Sequence, residues 1–132
     1  MSFSSRTMRP EDWAQLRHFR PTERGFRDPA RMGFEFMLWL DMLRRRFGAP
    51  LSISSTWRAP AHNEAAGGAS QSAHLRTPCE AVDIVGLDSA GRFRLVSLAM
   101  QMGCRRIGIY ENGSVHLDLD PSLPQDVLWV KV

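Results

Sequence analysis

The sequence predicts an α+β domain in which a small, mainly antiparallel sheet packs against helices. Helical patterns fill the first part of the chain, and short β patterns separated by turn residues follow, with one further helix among them. The 132 residues suit one domain with its own core and leave no room for a second domain of ordinary size. We therefore expect a single domain over residues 1–132, with an N-terminal helical segment to about residue 30 and the main core over about residues 31–132.

Several segments carry helical signals and are bounded by residues that start or stop a helix. The first opens with Pro10 and two acidic residues, and residues 31–47 place apolar side chains at helical spacing before Gly48. Asp88 or Ser89 can cap the last helix. The predicted helices cover residues 10–18, 31–47, 60–66 and 90–102, and residues 19–30 are predicted to form an ordered loop.

Short runs rich in β-forming residues are separated by turn residues such as Asn112-Gly113. The predicted strands cover residues 51–55, 81–85, 106–110, 114–119 and 127–132. In a strand, successive side chains point to opposite faces. His116 and Asp118 should therefore share one face, and the residues on either side of Asp83 should face the core.

Composition and charge argue against several classes of protein. The hydrophobic content of 43% is normal for a globular domain, and no apolar run reaches the roughly 20 residues that a membrane span needs. The first residues lack the apolar core of a secretory signal, so no signal peptide is expected. The net charge of +3 comes from scattered arginines, and the only run, Arg44 to Arg46, lies near a predicted helix end. We expect neither a nucleic-acid nor a membrane partner, and the alternative of a basic nucleic-acid-binding protein rests on the charge alone.

Histidine and aspartate residues suggest a metal site. Asp83 and His116 are polar residues on predicted strands of a small sheet, and His74 can reach them from the preceding loop. Two histidines and one carboxylate are a common protein contribution to a catalytic zinc site. The alternative, from spacing alone, is a surface histidine, a turn aspartate and an ordinary cross-strand pair.

Several motifs in the right order resemble the zinc D-Ala-D-Ala carboxypeptidase family, the LAS-type zinc peptidases that include phage endolysin peptidases. Ser72, His74, Ala81 and Asp83 match the family motif SxHxxGxAxD, and VHLD at residues 115–118 matches its second signature. Further matches, from about residue 32 to 130, are Ser55 and Arg58, the glycine turn GGAS at 67–70, and the ending from RIGIY to DPSLPQDVLW. The resemblance implies the LAS-type (hedgehog/D-Ala-D-Ala peptidase) fold.

The resemblance also implies roles for individual residues. His74, Asp83 and His116 are the implied ligands of one Zn²⁺ per chain. Arg58 is implied to bind a substrate carbonyl or terminal carboxylate and to stabilise the developing oxyanion. Ser72 is implied to bind near the substrate, although it can equally be a simple turn residue, and Asp118 is a candidate partner that orients a metal-binding imidazole.

Two departures from the family pattern bear on the site. Eight residues, LRTPCEAV, separate His74 from Asp83 where the family usually has six, so the loop must bulge if both side chains are to meet. Cys79 lies within this loop and is a minor candidate ligand. Many relatives carry an acidic general base three residues before the last histidine, but here that position is Gly113. Glu111 is the predicted base, with Asp118 and Glu80 as alternatives.

The resemblance implies a zinc metallopeptidase that hydrolyses peptide bonds in peptidoglycan stem peptides, and we expect it to be a monomer. The small size and the lack of a signal sequence favour a phage-type lysin, cytoplasmic until release or carried by the phage, over an exported cell-wall remodelling enzyme. The alternative is a non-catalytic, zinc-containing module of the same fold that binds the cell wall or builds a phage particle.

Overall fold

The computed structural model describes residues 6–65 and 71–132, and within them the fold is α+β. The predictions for residues 66–70, including the glycine turn GGAS, lie outside the described residues. The helices are α1 (Phe34–Phe47), α2 (Pro60–Ala65) and α3 (Ser89–Gln101), with short 3-10 helices at Pro10–Gln15, Pro29–Arg31 and Ala73–Leu75. The strands are β1 (Ser52–Ser55), β2 (Ala81–Val85), β3 (Arg106–Tyr110), β4 (Val115–Asp118) and β5 (Val127–Lys131).

The described strands form one sheet in the order β1-β2-β4-β3-β5. The pairs β1–β2, β2–β4 and β3–β4 are antiparallel, as predicted, whereas β5 pairs with β3 in parallel. Strand β4 therefore lies in the middle of the sheet, and all of its residues are buried. Any polar side chain on β4 must find its partners inside the protein.

The apolar core joins one face of the sheet to α1 and α3. Fully buried residues from both helices and from the strands belong to one cluster, among them Leu40, Leu95, Val82, Ile107 and Leu117. Helix α1 ends at Gly48, whose φ of 77° is the left-handed conformation that glycine adopts at little cost. Asp88 caps α3 by accepting a hydrogen bond of 2.7 Å from the Gly91 backbone, which decides between the two predicted caps.

Two predicted helix boundaries were wrong for tertiary reasons. Residues 10–18 form only a short 3-10 helix, Pro10–Gln15, because the chain then turns to let the Arg17 and His18 amides bind the Asp41 carboxylate at 3.1 and 2.9 Å. The main helix begins at Phe34 rather than at residue 31. Gly33 donates its amide proton to the Cys79 carbonyl and the Arg31 carbonyl accepts from Cys79, so this segment is paired with a distant loop instead.

Candidate metal centre

One row of residues across the sheet carries most of the candidate site. Residues directly opposite one another on neighbouring strands project from the same face. Asp83 pairs with His116, His116 with Gly108, and Gly108 with Trp129. On the other side Asp83 pairs with Ser55. The strand register therefore brings a carboxylate and an imidazole side by side on the face opposite the helical core.

His74 reaches this row from a 3-10 turn. The Ser72 hydroxyl oxygen accepts a hydrogen bond of 3.2 Å from the His74 amide, and the His74 carbonyl accepts one of 2.9 Å from the Arg58 amide. The ring is fixed by a 2.5 Å hydrogen bond between His74 Nδ1 and the Thr56 carbonyl oxygen, which can only accept. Nδ1 therefore carries the proton, and Nε2 presents its lone pair to the sheet.

The lengthened loop between His74 and Asp83 bulges and leaves both side chains together. Cys79, in its middle, forms backbone hydrogen bonds of 2.8 Å to Arg31 and to Gly33, and the loop contains a cis peptide bond between Thr77 and Pro78. The Cys79 thiol is fully buried beside backbone carbonyls, and burial raises its pKa to about 12. It takes no part in the cluster of candidate metal ligands.

The three predicted ligands form a cluster that can hold a metal ion. Ligand atoms of His74, Asp83 and His116 all lie within 4.8 Å of one another. His74 Nε2 is 3.1 Å from His116 Nδ1, and each of these nitrogens is 3.1 Å from an oxygen of Asp83. The two contacts to Asp83 involve different oxygens, Oδ2 for His74 and Oδ1 for His116. Each spacing is near the about 3.4 Å that separates tetrahedral ligands lying about 2.1 Å from zinc. All three side chains are buried, which keeps their donor atoms in place.

Asp118 orients His116. Its Oδ2 lies 2.6 Å from His116 Nε2, and its Oδ1 accepts hydrogen bonds from Arg106 Nε at 2.8 Å and from the Asp120 amide at 3.1 Å. Asp118 is completely buried, so its carboxylate is held by these donors and does not face solvent. Because Nε2 donates to Asp118, Nδ1 is the nitrogen that faces Asp83 and His74.

The charges in the cluster are strongly coupled. Burial by itself raises the pKa of Asp83, but hydrogen bonds and charge from His116 and His74 outweigh it and hold that pKa far below the ordinary value. For His116 burial acts to lower the pKa, while Asp118 and Asp83 together raise it above the ordinary value. Two carboxylates around one imidazole thus create a position that strongly favours positive charge, either a proton or a metal ion.

Arg58 lies at the edge of the cluster with its guanidinium fixed on several sides. Its Nε donates to the Ser55 hydroxyl at 2.8 Å, its Nη1 to Asn63 Oδ1 at 3.2 Å and its Nη2 to Asp83 Oδ2 at 2.8 Å. The side chain retains 15% of its exposure. Asn63 is buried and helps to hold this arginine.

A cavity of about 860 Å³ opens over the cluster and has room for several residues of a peptide. Ser72, Arg58 and the three candidate ligands line it, as do Tyr110 and Trp129, which sequence reasoning missed. Trp129 Nε1 donates to the Tyr110 hydroxyl at 3.2 Å, and its ring lies 5.3 Å from that of His116. A Cβ on Gly108 would stand only 2.5 Å from Trp129 Nε1. A glycine in the middle of a strand is the sequence signal that could have revealed this close approach.

The structure does not bring the predicted general base to the cluster. Glu111 lies exposed on the turn after β3, and it is not among the residues that line the cavity. Glu80 is also outside the cavity: its side chain lies near Gly33, and burial together with the charges of Asp120, Asp118 and Glu35 raises its pKa to about 7. Within residues 6–65 and 71–132, Asp83 is the only carboxylate that lines the cavity.

The comparisons with known proteins agree with this geometry. The sequence profile described as Peptidase M15 matches residues 15–118, which is most of the chain. A search of curated proteins gives no match. In the part of the chain that the structure describes, no helix has the length and apolar character needed to cross a membrane.

Proposed function

The chain belongs to the Peptidase M15 family of metallopeptidases, and from this premise we propose that it is a zinc-dependent hydrolase of peptide bonds in bacterial peptidoglycan. The observation that carries the proposal is the convergence of two imidazole nitrogens and one carboxylate at the base of a peptide-sized cavity. The family-like motifs around Ser72, His74 and Asp83 support the choice of stem peptides as substrate. The proposal covers both a carboxypeptidase and an endopeptidase. The protein would act as a monomer, either as a lysin carried by a phage or as a cell-wall remodelling enzyme.

Zinc is the metal that this donor set favours. Two imidazoles and one carboxylate leave a fourth tetrahedral position for water or substrate. When bound, zinc supplies a Lewis acid that lowers the pKa of water and polarises a carbonyl. The protein contributes the fixed orientation of its ligands, since Thr56 sets the His74 tautomer and Asp118 sets that of His116.

Arg58 and Tyr110 are the groups placed to bind the substrate carbonyl. The planar guanidinium of Arg58 is held against Ser55 and Asn63, so its charge stays at the edge of the cavity. Tyr110 also lines the cavity, and its hydroxyl is held by a hydrogen bond from Trp129. Donors held in place before the reaction stabilise a developing oxyanion without reorganising. To transfer protons, the Glu111 side chain would have to move into the cavity from its position between β3 and β4.

The test combines metal content with digestion of peptidoglycan. Purified protein is supplied with zinc, freed of excess metal and assayed for zinc per chain and for free amino groups released from peptidoglycan, with His74→Ala as the matched control. We expect about one zinc per chain and release of amino groups, both lost in His74→Ala. Zinc bound without any release of amino groups or soluble peptide would overturn the catalytic proposal.

A second candidate function is a non-catalytic, zinc-containing module that binds cell-wall peptides or serves in a phage particle. The observation in its favour is the absence of any carboxylate other than Asp83 from the cavity lining within the described residues. Glu111→Gln separates the two functions. If turnover falls steeply while zinc stays bound, Glu111 reaches the substrate and the protein is an enzyme. Zinc and peptide binding without turnover in the unaltered protein would favour the module.

A further inference from the structure

A second cavity, of about 480 Å³, lies along β1 beside the metal centre. Ser54 and Val85 line both cavities, so the two cavities are adjacent. We propose that this second cavity is a subsite for a carboxylate group of the peptide substrate, and that the protein prefers peptides with an acidic group near the bond that is cleaved. This inference rests on the proposed function, because it deepens the description of the substrate.

The lining of the second cavity has the charge that a carboxylate requires. Arg24, Arg27 and His62 contribute to it, and within the described residues no aspartate or glutamate does. No ion pair of Arg24 or Arg27 is found within residues 6–65 and 71–132, unlike Arg31, which pairs with Asp28 at 3.0 Å. Arginine offers a planar pair of donors that matches a carboxylate. Trp57, which has the Arg31 guanidinium 4.5 Å from its ring centroid, adds a half-buried aromatic side chain to the lining.

The loop that carries the two arginines is fixed on β1. A Cβ on Gly25 would lie 2.5 Å from a side-chain carbon of Ile53 and 2.6 Å from its carbonyl oxygen, so only glycine allows this contact. The Thr56 hydroxyl donates to the Gly25 carbonyl at 2.7 Å, and Phe26 is buried with its ring 5.2 Å from that of Trp13. Arg24 and Arg27 thus flank a loop segment whose backbone is held in place before any ligand arrives.

The segment that holds the arginine loop, residues 54–56, also supports the metal centre. The two sites are therefore fixed relative to one another. Thr56 accepts the hydrogen bond of His74 through its carbonyl while its hydroxyl holds the arginine loop. Ser55 pairs with Asp83, and Ser54 lines both cavities. Because both sites are built on neighbouring residues of one segment, a single extended peptide should be able to contact both of them.

The experiment compares soluble peptides released from peptidoglycan with the same peptides after their carboxyl groups are converted to amides. Binding to the zinc-loaded protein is measured by calorimetry, and cleavage is measured separately. The variants are the double substitution Arg24→Gln with Arg27→Gln and the pair Arg24→Lys with Arg27→Lys. Arg45→Gln, which removes one exposed positive charge from α1, is the control. Circular dichroism checks that each variant is folded.

We expect the unaltered protein to bind the carboxylate peptides more tightly than the amides, and the double glutamine variant to reduce that preference by roughly tenfold. The lysine pair should recover part of it, and Arg45→Gln should leave it unchanged. Equal loss in Arg45→Gln, or an unchanged preference in the double glutamine variant, would overturn the subsite. Because binding is measured apart from cleavage, a preference that depends on both arginines in a protein without turnover supports the subsite and overturns only the catalytic proposal.

Discussion

The two faces of the central strand β4 are buried to a similar degree but by different means. On β4, Val115 and Leu117 pack into the apolar core with α1 and α3, whereas His116 and Asp118 are buried on the opposite face. Apolar burial is non-directional and depends mainly on area and fit. The polar face depends on particular partners, because a buried polar group without a hydrogen bond is costly. One face therefore determines how stable the sheet is, and the other determines where its ligand atoms point.

The largest expected difference between the faces appears in His116→Ala. This change removes a candidate ligand without opening the apolar core, so zinc should be lost and peptide hydrolysis should fall by more than about 1,000-fold. Zinc per chain, by elemental mass spectrometry, and the rate of peptide release check the two effects. Zinc retained at the wild-type level would remove His116 from the metal centre.

Leu117→Ala, at the next residue along β4, should have the opposite effect, because it should reduce stability without removing zinc. Leu117 is fully buried on the helical face, so its truncation should lower the free energy of unfolding by about 3 kcal/mol while the folded protein still binds zinc. Urea unfolding of the zinc-free protein measures the loss. A loss of less than about 1 kcal/mol would mean that the core closes over the missing atoms.

Asp118→Asn tests how far orientation alone matters on the polar face. The substitution keeps the shape but weakens the bond that fixes the His116 tautomer, so zinc affinity should fall by about 10- to 100-fold. Competition with a chelator measures the affinity. Asp88→Asn removes one negative charge at the cap of α3 and keeps a good capping residue, so it is the control that should leave zinc affinity unchanged.

The smallest expected effect is at Glu80. In the part of the chain that the structure describes, this side chain lacks the hydrogen-bond partners that the polar side chains near the metal centre have. Its Oε2 is buried without a hydrogen-bond partner among the described residues, and burial raises its pKa to about 7. The folded protein therefore favours the protonated carboxyl, so stability from this group is present below about pH 4.5 and is lost as the pH rises through 7.

Glu80→Gln should be more stable than the unaltered protein by about 1–2 kcal/mol at pH 8, and the two should be equal near pH 4. The free energy of unfolding in urea, measured from pH 4 to 8, gives this difference. A difference that stays constant across this range would show that the carboxyl does not titrate with the raised pKa.

Sequence patterns were most informative where local rules control the structure. Alternation on VHLD predicted that His116 and Asp118 share a face, and the spacing of apolar residues predicted the end of α1 at Gly48. They failed where partners are distant in sequence: Cys79 pairs with Arg31 and Gly33 and so delays the start of α1. Tyr110 and Trp129 were missed for the same reason, since only the parallel pairing of β3 with β5 brings them to the cavity.

The sequence by itself determined the α+β class, the core faces of the main elements and the identity of the three candidate ligands. The class and the core faces depend on periodicity, whereas the three ligands were named by motifs that resemble those of a known family; both kinds of signal are properties of short segments. Only the tertiary structure decided that the longer loop still delivers His74 to Asp83, that Glu111 stays outside the cavity and that a cationic cavity adjoins the metal centre. These outcomes depend on strand register and on hydrogen bonds between residues far apart in the chain, such as that between His74 and Thr56, which no short segment contains.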